Sequence, residues 1–225
     1  MMARPRRALR SDGEETRARL LESAGELFAA NGYGETTGKA IAAHAAADLA
    51  SINYHFGGRD ALYRAVLIEA HRRIVSRDAL EEIAALDLPA PRKLRMLLDM
   101  LVSVVVRTEH WSSRVLLREL ASPSSHFVVL RQNEVLPKLG IVLSLISEIT
   151  GIPMGEPALF HCFLSTAAPC AMLIMTRGAL IPEGMPPLAP ELLADHLHRF
   201  AMAGLDAAAK HHAAARAGAE PPAGS

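Results

Sequence analysis

The stretch TGKAIAAHAAADLASINYHF, residues 37–56, has the pattern of two short helices separated by a turn. Thr37 can cap the first helix, whose Ile41 and Ala45 can face inward, and Asp48 can cap the second. The second helix is rich in polar side chains, which a buried segment rarely contains. Two such helices a few residues apart match a helix-turn-helix, whose first helix braces across the DNA backbone while the second enters the major groove.

The side chains of the second helix suit the base edges and phosphates of DNA. Asn53 can bond adenine bidentately, and the small Ser51 can approach a base or a phosphate. Tyr54 and His55 can contact a phosphate or a thymine methyl group. We therefore predict that this helix presents these side chains outward, to the major groove.

The residues before this pair of helices predict a basic arm and one further helix. Residues 1–11 contain four arginines and no acid, which predicts a disordered arm that is either a solvated tail or a contact to DNA phosphates or the minor groove. Ser11 and Glu14 fit a capping box, and Asn31-Gly32 is a helix stop signal. Gly25, in the middle of this helix, should cost about 1 kcal/mol relative to alanine.

Composition limits the class of protein. Half of the 225 residues are hydrophobic and only 4% are aromatic, which favours a helical protein with a sizeable core. The formal net charge is zero, so nucleic-acid binding requires a local patch. Cys162 and Cys170 lie in apolar helical context, which favours a reducing cytoplasm over a disulfide framework. Charges and prolines break the longest apolar runs short of a membrane span, so we expect a cytoplasmic protein without a membrane partner.

The remaining chain is helical by pattern. We expect one long connecting helix from Arg59 to the prolines at 89 and 91, then one or two helices up to the break at SPSSHF, residues 122–127. Three more helices follow. The predicted fold is all-α, an N-terminal three-helix helix-turn-helix domain followed by a helical ligand-binding and dimerisation bundle. The predicted divisions are a basic arm, a DNA-binding domain, a ligand-binding and dimerisation domain and a disordered tail, at residues 1–11, 12–60, 61–214 and 215–225.

Residues 16–63 resemble the DNA-binding region of TetR-type transcriptional regulators. The matching residues, in order, are Leu20, Leu21, Ala24, Phe28, Gly32, Tyr33, Thr36, Thr37, Ile41, Ala42, Tyr54, His55, Phe56 and Leu62. The resemblance implies that Thr37 and Lys39 hold one phosphate and that Arg59 holds another. It implies base and backbone contacts by the third helix, from Leu49, Ala50, Ser51, Asn53, Tyr54 and His55. Ala46 stands where the family usually has a turn glycine, which requires strain or a slightly different turn.

The C-terminal region resembles TetR-type regulatory domains, in the branch that includes CecR-like regulators. This resemblance implies a homodimer through residues 156–178 and 190–210, although these residues can alternatively pack within one chain. It also implies a pocket for a small-molecule effector. Arg107, Trp111, Arg114 and Arg118 would share one helix face, either as an anion-binding site or as a solvated stripe. The predicted pocket residues are Met100, Trp111, Arg114, Arg118, His161, Cys162 and Met172.

No catalytic or metal motif stands out. His161 beside Cys162, or Asp195 near His198, lacks a third metal ligand at a convincing spacing, and the chain has no phosphate loop or nucleophile elbow. We therefore predict no enzyme activity, no metal and no cofactor. The predicted function is a repressor that a small molecule releases from a pseudo-palindromic operator. The alternatives are a helical protein–protein interaction module, or a small metal- or ligand-binding helical protein without DNA readout.

Overall fold

The structure, a computed structural model, describes residues 6–106, 111–176, 183–184 and 189–219, which contain helices and loops and no strand. The side chains of residues 6–11, 105–106, 175–176 and 218–219 are outside this description. The helices are α1 (Arg6–Glu35), α2 (Gly38–His44), α3 (Leu49–Phe56), α4 (Arg59–Ile74), α5 (Arg77–Ala85), α6 (Ala90–Val106), α7 (Trp111–Ala121), α8 (Phe127–Leu130), α9 (Leu136–Thr150), α10 (Pro157–Thr176) and α11 (Pro190–Ala219). A π-helical turn, Arg131–Val135, joins α8 to α9. The predicted all-α fold is confirmed.

The first compact unit comprises Met1–Ile74 and Glu109–Val135. Helices α1 and α4 pack against each other, and α7 packs against both although it comes much later in the chain. The core of this unit buries Leu20, Phe28, Ile41, Leu62 and Val66 completely. Helices α2 and α3 add one apolar face each, so the short polar helices are held by the larger α1–α4–α7 core.

Trp111, the first residue of α7, lies directly on the backbone of α1. A Cβ atom at Gly25 would stand 2.3 Å from Cε2 of the indole, so this position has room only for a hydrogen. The indole Nε1–H donates to Glu22 at 2.8 Å, and the guanidinium of Arg73 lies 4.9 Å from the ring centroid. Gly25 is therefore unfavourable for the helix itself, but its lack of a side chain allows α7 to pack close to α1.

The second compact unit comprises Val75–Thr108 and Leu136–Ser225. Helix α6 packs against α9, α10 and α11, and α5 covers α6 and α9. Leu94, Ile146 and Ile152 are completely buried in its core, where Leu159 is 1% exposed. The start of α6 is tied to α11 by two polar contacts. Arg95 donates to Asp195 at 3.2 Å, and His198 Nε2 lies 2.9 Å from the carbonyl oxygen of Pro91.

Three helix ends differ from the sequence prediction. Helix α1 begins at Arg6 and so includes part of the predicted disordered arm, because alanine, leucine and arginine continue a helix readily. The predicted connecting helix is two helices, since Ser76 caps α5 with its hydroxyl 3.4 Å from the amide of Ala79. Helix α11 continues to Ala219 through alanine-rich sequence, beyond the predicted start of the tail at residue 215.

The compact units also differ from the predicted domain boundaries. Helix α4 and helix α7 lie in the first unit, although α7 and all but the first two residues of α4 fall within the predicted ligand-binding domain, residues 61–214. Apolar side chains of α4 and α7 complete the core on which α1 packs, which explains this grouping. The functional division of the chain stays a prediction.

Helix α10 is unusually apolar for its exposure. Within the described residues, one segment, Pro157–Ile174, is long and apolar enough to cross a membrane by length and composition, and 28% of it is buried in the protein. The expectation that every apolar run falls short of a span therefore fails for this helix by that measure. Pro169 lies inside it, and its exposed face includes Phe160, Leu164 and Met172.

The contact of Trp111 with Gly25 predicts the effect of two glycine substitutions. Gly25→Ala should destabilise the protein by about 1–3 kcal/mol, because the new methyl group displaces the indole. The matched change Gly140→Ala, inside α9 with no heavy atom of another side chain or helix within 4 Å of the new Cβ, should stabilise it by about 0.5–1 kcal/mol. Urea unfolding followed by the fluorescence of the one tryptophan and by circular dichroism measures both. Equal stability of Gly25→Ala and wild type would contradict this packing.

Candidate nucleic-acid interface

Helices α2 and α3 form a tight two-helix unit. The hydroxyl of Thr37 accepts a bond from the amide of Ala40 at 3.1 Å and caps α2, as the sequence predicts. In the turn, the amide of Ala46 donates to Ala43 at 3.2 Å, and the amide of Ala47 donates to Ala42 at 2.9 Å. Ala46 has φ of 48°, in the left-handed region that glycine prefers. The turn therefore keeps its usual shape at the cost of strain at an alanine.

Helix α3 presents most of its predicted reading residues to solvent. Ile52 is 2% exposed and anchors the helix in the core, whereas Tyr54 is 85% exposed and Leu49 is 54% exposed. Ala50 and Asn53 are also exposed, and Ser51 and His55 are half-buried. A short helix that is anchored by one buried residue and otherwise exposed can enter a DNA groove without any change in the core that holds it.

Side chains of α1 hold α2 and α3 in place. The guanidinium of Arg17 lies 4.8 Å from the centroid of the half-buried Phe56 ring. A Cβ at Gly13 would stand 3.9 Å from Cε1 of His55, so α1 passes close to the end of α3. His44, at the end of α2, lies 3.7 Å from Glu26 of α1. The role of Arg17 was missed from the sequence because a stacking pair so far apart in the chain leaves no local pattern.

The predicted phosphate ligands occupy two different environments. Thr37 and Lys39 are exposed at the start of α2. Arg59, the first residue of α4, is half-buried, and its Nη1 donates to the backbone oxygen of Thr36 at 2.8 Å and of Tyr33 at 3.4 Å. Its guanidinium also lies 4.3 Å from the centroid of the Tyr33 ring. The structure therefore uses the predicted phosphate-binding arginine in contacts to the protein itself.

Tyr33 packs within a cluster of aromatic rings. Its ring lies 5.9 Å from that of Phe28 and 4.7 Å from that of Tyr63, and His126 contacts both tyrosines at 5.2 and 5.4 Å. The Tyr33 hydroxyl donates to the carboxylate of Asp60. Burial raises the pKa of Tyr33, and the bond to Asp60 raises it further.

A buried carboxylate completes the support of this cluster. Glu119 is 2% exposed and accepts from the Tyr63 hydroxyl at 2.8 Å and from the amide and hydroxyl of Ser124 at 2.9 and 2.8 Å. Burial, followed by the bond to Glu119, raises the pKa of Tyr63. The phenol therefore stays protonated as a donor, and α4 is joined to α7 and to the loop before α8.

The predicted pocket residues are divided between the two compact units. Trp111 is buried against α1, and Arg118 donates to the backbone oxygens of Ala29 and Ala30 at 2.9 and 2.8 Å. These contacts give both side chains a packing role, where the sequence left open an anion-binding site or a solvated stripe. Arg114 is exposed on α7, and Arg107 lies outside the described residues.

The other four predicted pocket residues lie in the second unit. Met100 is half-buried, Cys162 is buried, and His161 and Met172 are exposed. Burial raises the pKa of the Cys162 thiol, so it is held neutral. In the first unit, an open groove of about 560 Å³ lies between α1 and α4, and none of the predicted pocket residues lines it. No group of three metal-ligating side chains occurs among the residues that the structure describes.

A two-helix unit that buries Ile52 and exposes a polar helix face is the arrangement of a helix-turn-helix DNA-binding regulator. Residues 20–66 match the family model for bacterial regulatory proteins of the tetR family. Residues 90–208 match the model for the C-terminal domain of the HTH-type transcriptional dual regulator CecR. The chain belongs to the TetR family of transcriptional regulators, with a C-terminal region of the CecR type. It is therefore a DNA-binding transcription factor rather than an enzyme.

Individual relatives agree with this family. The regulator UidR of Escherichia coli strain K12 is 29% identical over 69 residues, which are 31% of this chain and 35% of UidR. This match spans about a third of that relative's length. A TetR-like regulator from Rhodococcus sp. RHA1 shares the fold with a TM-score of 0.63 and 19% identity, over 84% of this chain and 95% of that one. FadR from Bacillus subtilis, in complex with stearoyl-CoA, gives 0.65 and 16% identity, over 83% and 98%.

The strained turn predicts a stabilising substitution. Ala46→Gly should stabilise the protein by about 0.5–1 kcal/mol, because glycine adopts the left-handed conformation without the alanine's steric cost and loses somewhat more chain entropy. Ala43→Gly, at an exposed helical position of α2, should instead destabilise it by about 1 kcal/mol. Thermal unfolding of both variants checks the prediction. A lower midpoint for Ala46→Gly would show that the turn is not strained at this residue.

Proposed function

We propose that this regulator is a ligand-responsive repressor that reads a pseudo-palindromic operator through α3. The exposed face of α3 carries this proposal, since Leu49, Asn53 and Tyr54 stand free of the core on a helix anchored by Ile52. Asparagine can bond adenine bidentately, and apolar groups can contact thymine methyls. Binding of the operator would block transcription from the adjoining promoter. The site of action would be the cytoplasm.

The proposed assembly is a homodimer through residues 156–178 and 190–210. Apolar side chains on α10 and α11 are exposed in the single chain, and they include Phe160, Leu164, Leu192 and Phe200. Leu192 is 73% exposed and Phe200 is 68% exposed, and a group of exposed large apolar side chains on two helices supports a protein–protein interface there. A second copy would cover this face and bring two α3 helices into successive major grooves about 34 Å apart.

The proposed switch is a small molecule in the helical region after α4. FadR of Bacillus subtilis, which shares the fold, was crystallised with stearoyl-CoA, and this supports the idea that such a helical bundle can hold a small molecule. The proposed lining in the second unit includes Met100, His161, Cys162 and Met172. The effector would favour a conformer with misspaced α3 helices, through a coupling free energy of about 1–3 kcal/mol.

Operator binding tests the function, with Asn53→Ala as the decisive variant. The purified protein should bind DNA from upstream of its own gene tightly and in a salt-dependent manner. Asn53→Ala should lose about 1–3 kcal/mol of discrimination at its base pair, because a bidentate contact disappears. The control Asn133→Ala changes an exposed asparagine of the π-helical turn and should bind like wild type. Fluorescence anisotropy with operator and scrambled DNA measures both variants.

Two outcomes of this experiment would contradict the proposal. If Asn53→Ala lost the same amount of affinity for operator and for scrambled DNA, Asn53 would not contact a base specifically. If wild type bound no sequence better than random DNA, including sequences selected from a random pool, the reading function itself would be wrong. A reporter gene under the bound promoter then separates repression from activation, since loss of the regulator should raise expression.

The proposed interface predicts the effect of a charged substitution. Phe200→Asp should convert the dimer into a monomer, because a fully buried phenylalanine contributes about 1.5–3 kcal/mol in each copy and the carboxylate adds a desolvation cost. The control Val128→Asp changes a side chain that is 53% exposed outside both interface ranges and should leave the dimer intact. Light scattering after gel filtration gives the mass. A dimer that survives Phe200→Asp with unchanged stability would place the interface elsewhere.

A further inference from the structure

The start of α4 is bound to the segment that leads into α2. Arg59 donates to the backbone oxygens of Tyr33 and Thr36, and Thr36 immediately precedes the cap residue Thr37. Thr36 is itself 1% exposed, and its hydroxyl donates to the oxygen of Gly32 at 2.8 Å. The backbone at the entrance of α2 is therefore fixed from two sides.

The same arginine also fixes the exit of α3. Only Gly57 and Gly58, with φ of 81° and 127°, separate Phe56 from Arg59. The amide of Gly57 donates to Asn53 at 2.9 Å and closes α3. A left-handed two-glycine link is short, so the position of Arg59 determines where α3 ends. Arg59 thus holds both ends of residues 37–58, the complete two-helix reading unit.

We propose that Arg59 is a positioning residue for DNA reading, which acts by clamping the entrance of α2 to the exit of α3 through Tyr33 and Thr36. This inference rests on the proposed function and differs from the phosphate contact that the family resemblance implies for this position. Its effect on DNA would pass through Thr37, Lys39 and the reading face of α3.

The chemistry of the contacts distinguishes a clamp from a phosphate ligand. A phosphate can be held by the point charge of a lysine. Here the guanidinium lies over the Tyr33 ring while its Nη1 donates to two carbonyl groups, and the single nitrogen of lysine cannot make the ring contact and both bonds at once. Arg59→Lys therefore keeps the charge and removes the clamp. Arg59→Ala removes both.

The first test measures binding to DNA selected by wild type from a random pool, over a salt series. Arg59→Lys and Arg59→Ala should lose similar specific affinity, about tenfold or more, because both lack the guanidinium bonds. The control Arg64→Lys makes the same change five residues later in α4 and should bind like wild type. If Arg59→Lys instead bound like wild type while Arg59→Ala lost about 0.9 in the slope of log affinity against log salt, Arg59 would be a phosphate ligand and the proposal would be overturned.

The second test needs no DNA. Hydrogen exchange at the amides of Ala40 and Ile41, which bond to Thr37, should be faster in Arg59→Lys than in wild type, with exchange in α9 unchanged. Unchanged exchange at these two amides would refute the clamp. If wild type selected no sequence from the pool, the proposed reading function would fail, and the exchange result would still decide whether Arg59 holds the entrance of α2.

Discussion

The packing of Tyr33 between Phe28, Tyr63 and His126 is the interaction on which the reading unit depends. Stacked, tilted and edge-on ring contacts of this kind contribute about 0.5–1.5 kcal/mol each beyond the area that they bury. Tyr33 in turn provides the ring on which Arg59 stacks. Because Tyr63 must bury its hydroxyl to join the cluster, it needs the acceptor that Glu119 supplies. The position of α3 thus depends on a carboxylate that is distant in sequence.

The sequence predicted the two-helix unit well because its signals are local. Thr37 caps α2, and Ile41 and Ala45 of the first helix face inward, as the sequence predicts. The expected strain at Ala46 is present, since a turn of this shape requires a left-handed residue whichever side chain occupies it. Helix ends were less predictable, because apolar periodicity continues through Ser76 and gives no sign that its hydroxyl starts a new helix.

The contacts that could not be predicted are those between distant segments. The spacing of Trp111, Arg114 and Arg118 fits a ligand-binding face and a packing face equally well, and only the tertiary structure places the indole on Gly25. Similarly, a basic residue at the start of α4 is equally compatible with a phosphate contact and with bonds to the backbone of Tyr33 and Thr36. In both cases the residue types indicated which kind of contact the side chain can make, but not which group it contacts.

Charge explains why the geometry of the reading unit matters so much in this protein. Residues 37–58 contain one lysine, Lys39, and one aspartate, Asp48, and the whole chain has 24 basic and 24 acidic residues. Each phosphate that a protein neutralises contributes about 0.9 to the salt slope of its affinity, so this unit alone provides little non-specific attraction. Long-range electrostatic attraction of the protein to DNA is also weak, because the chain has no net charge. If α3 reads the operator as proposed, discrimination would come from its base contacts, and these would form only if the helix is held at the correct height and angle in the groove.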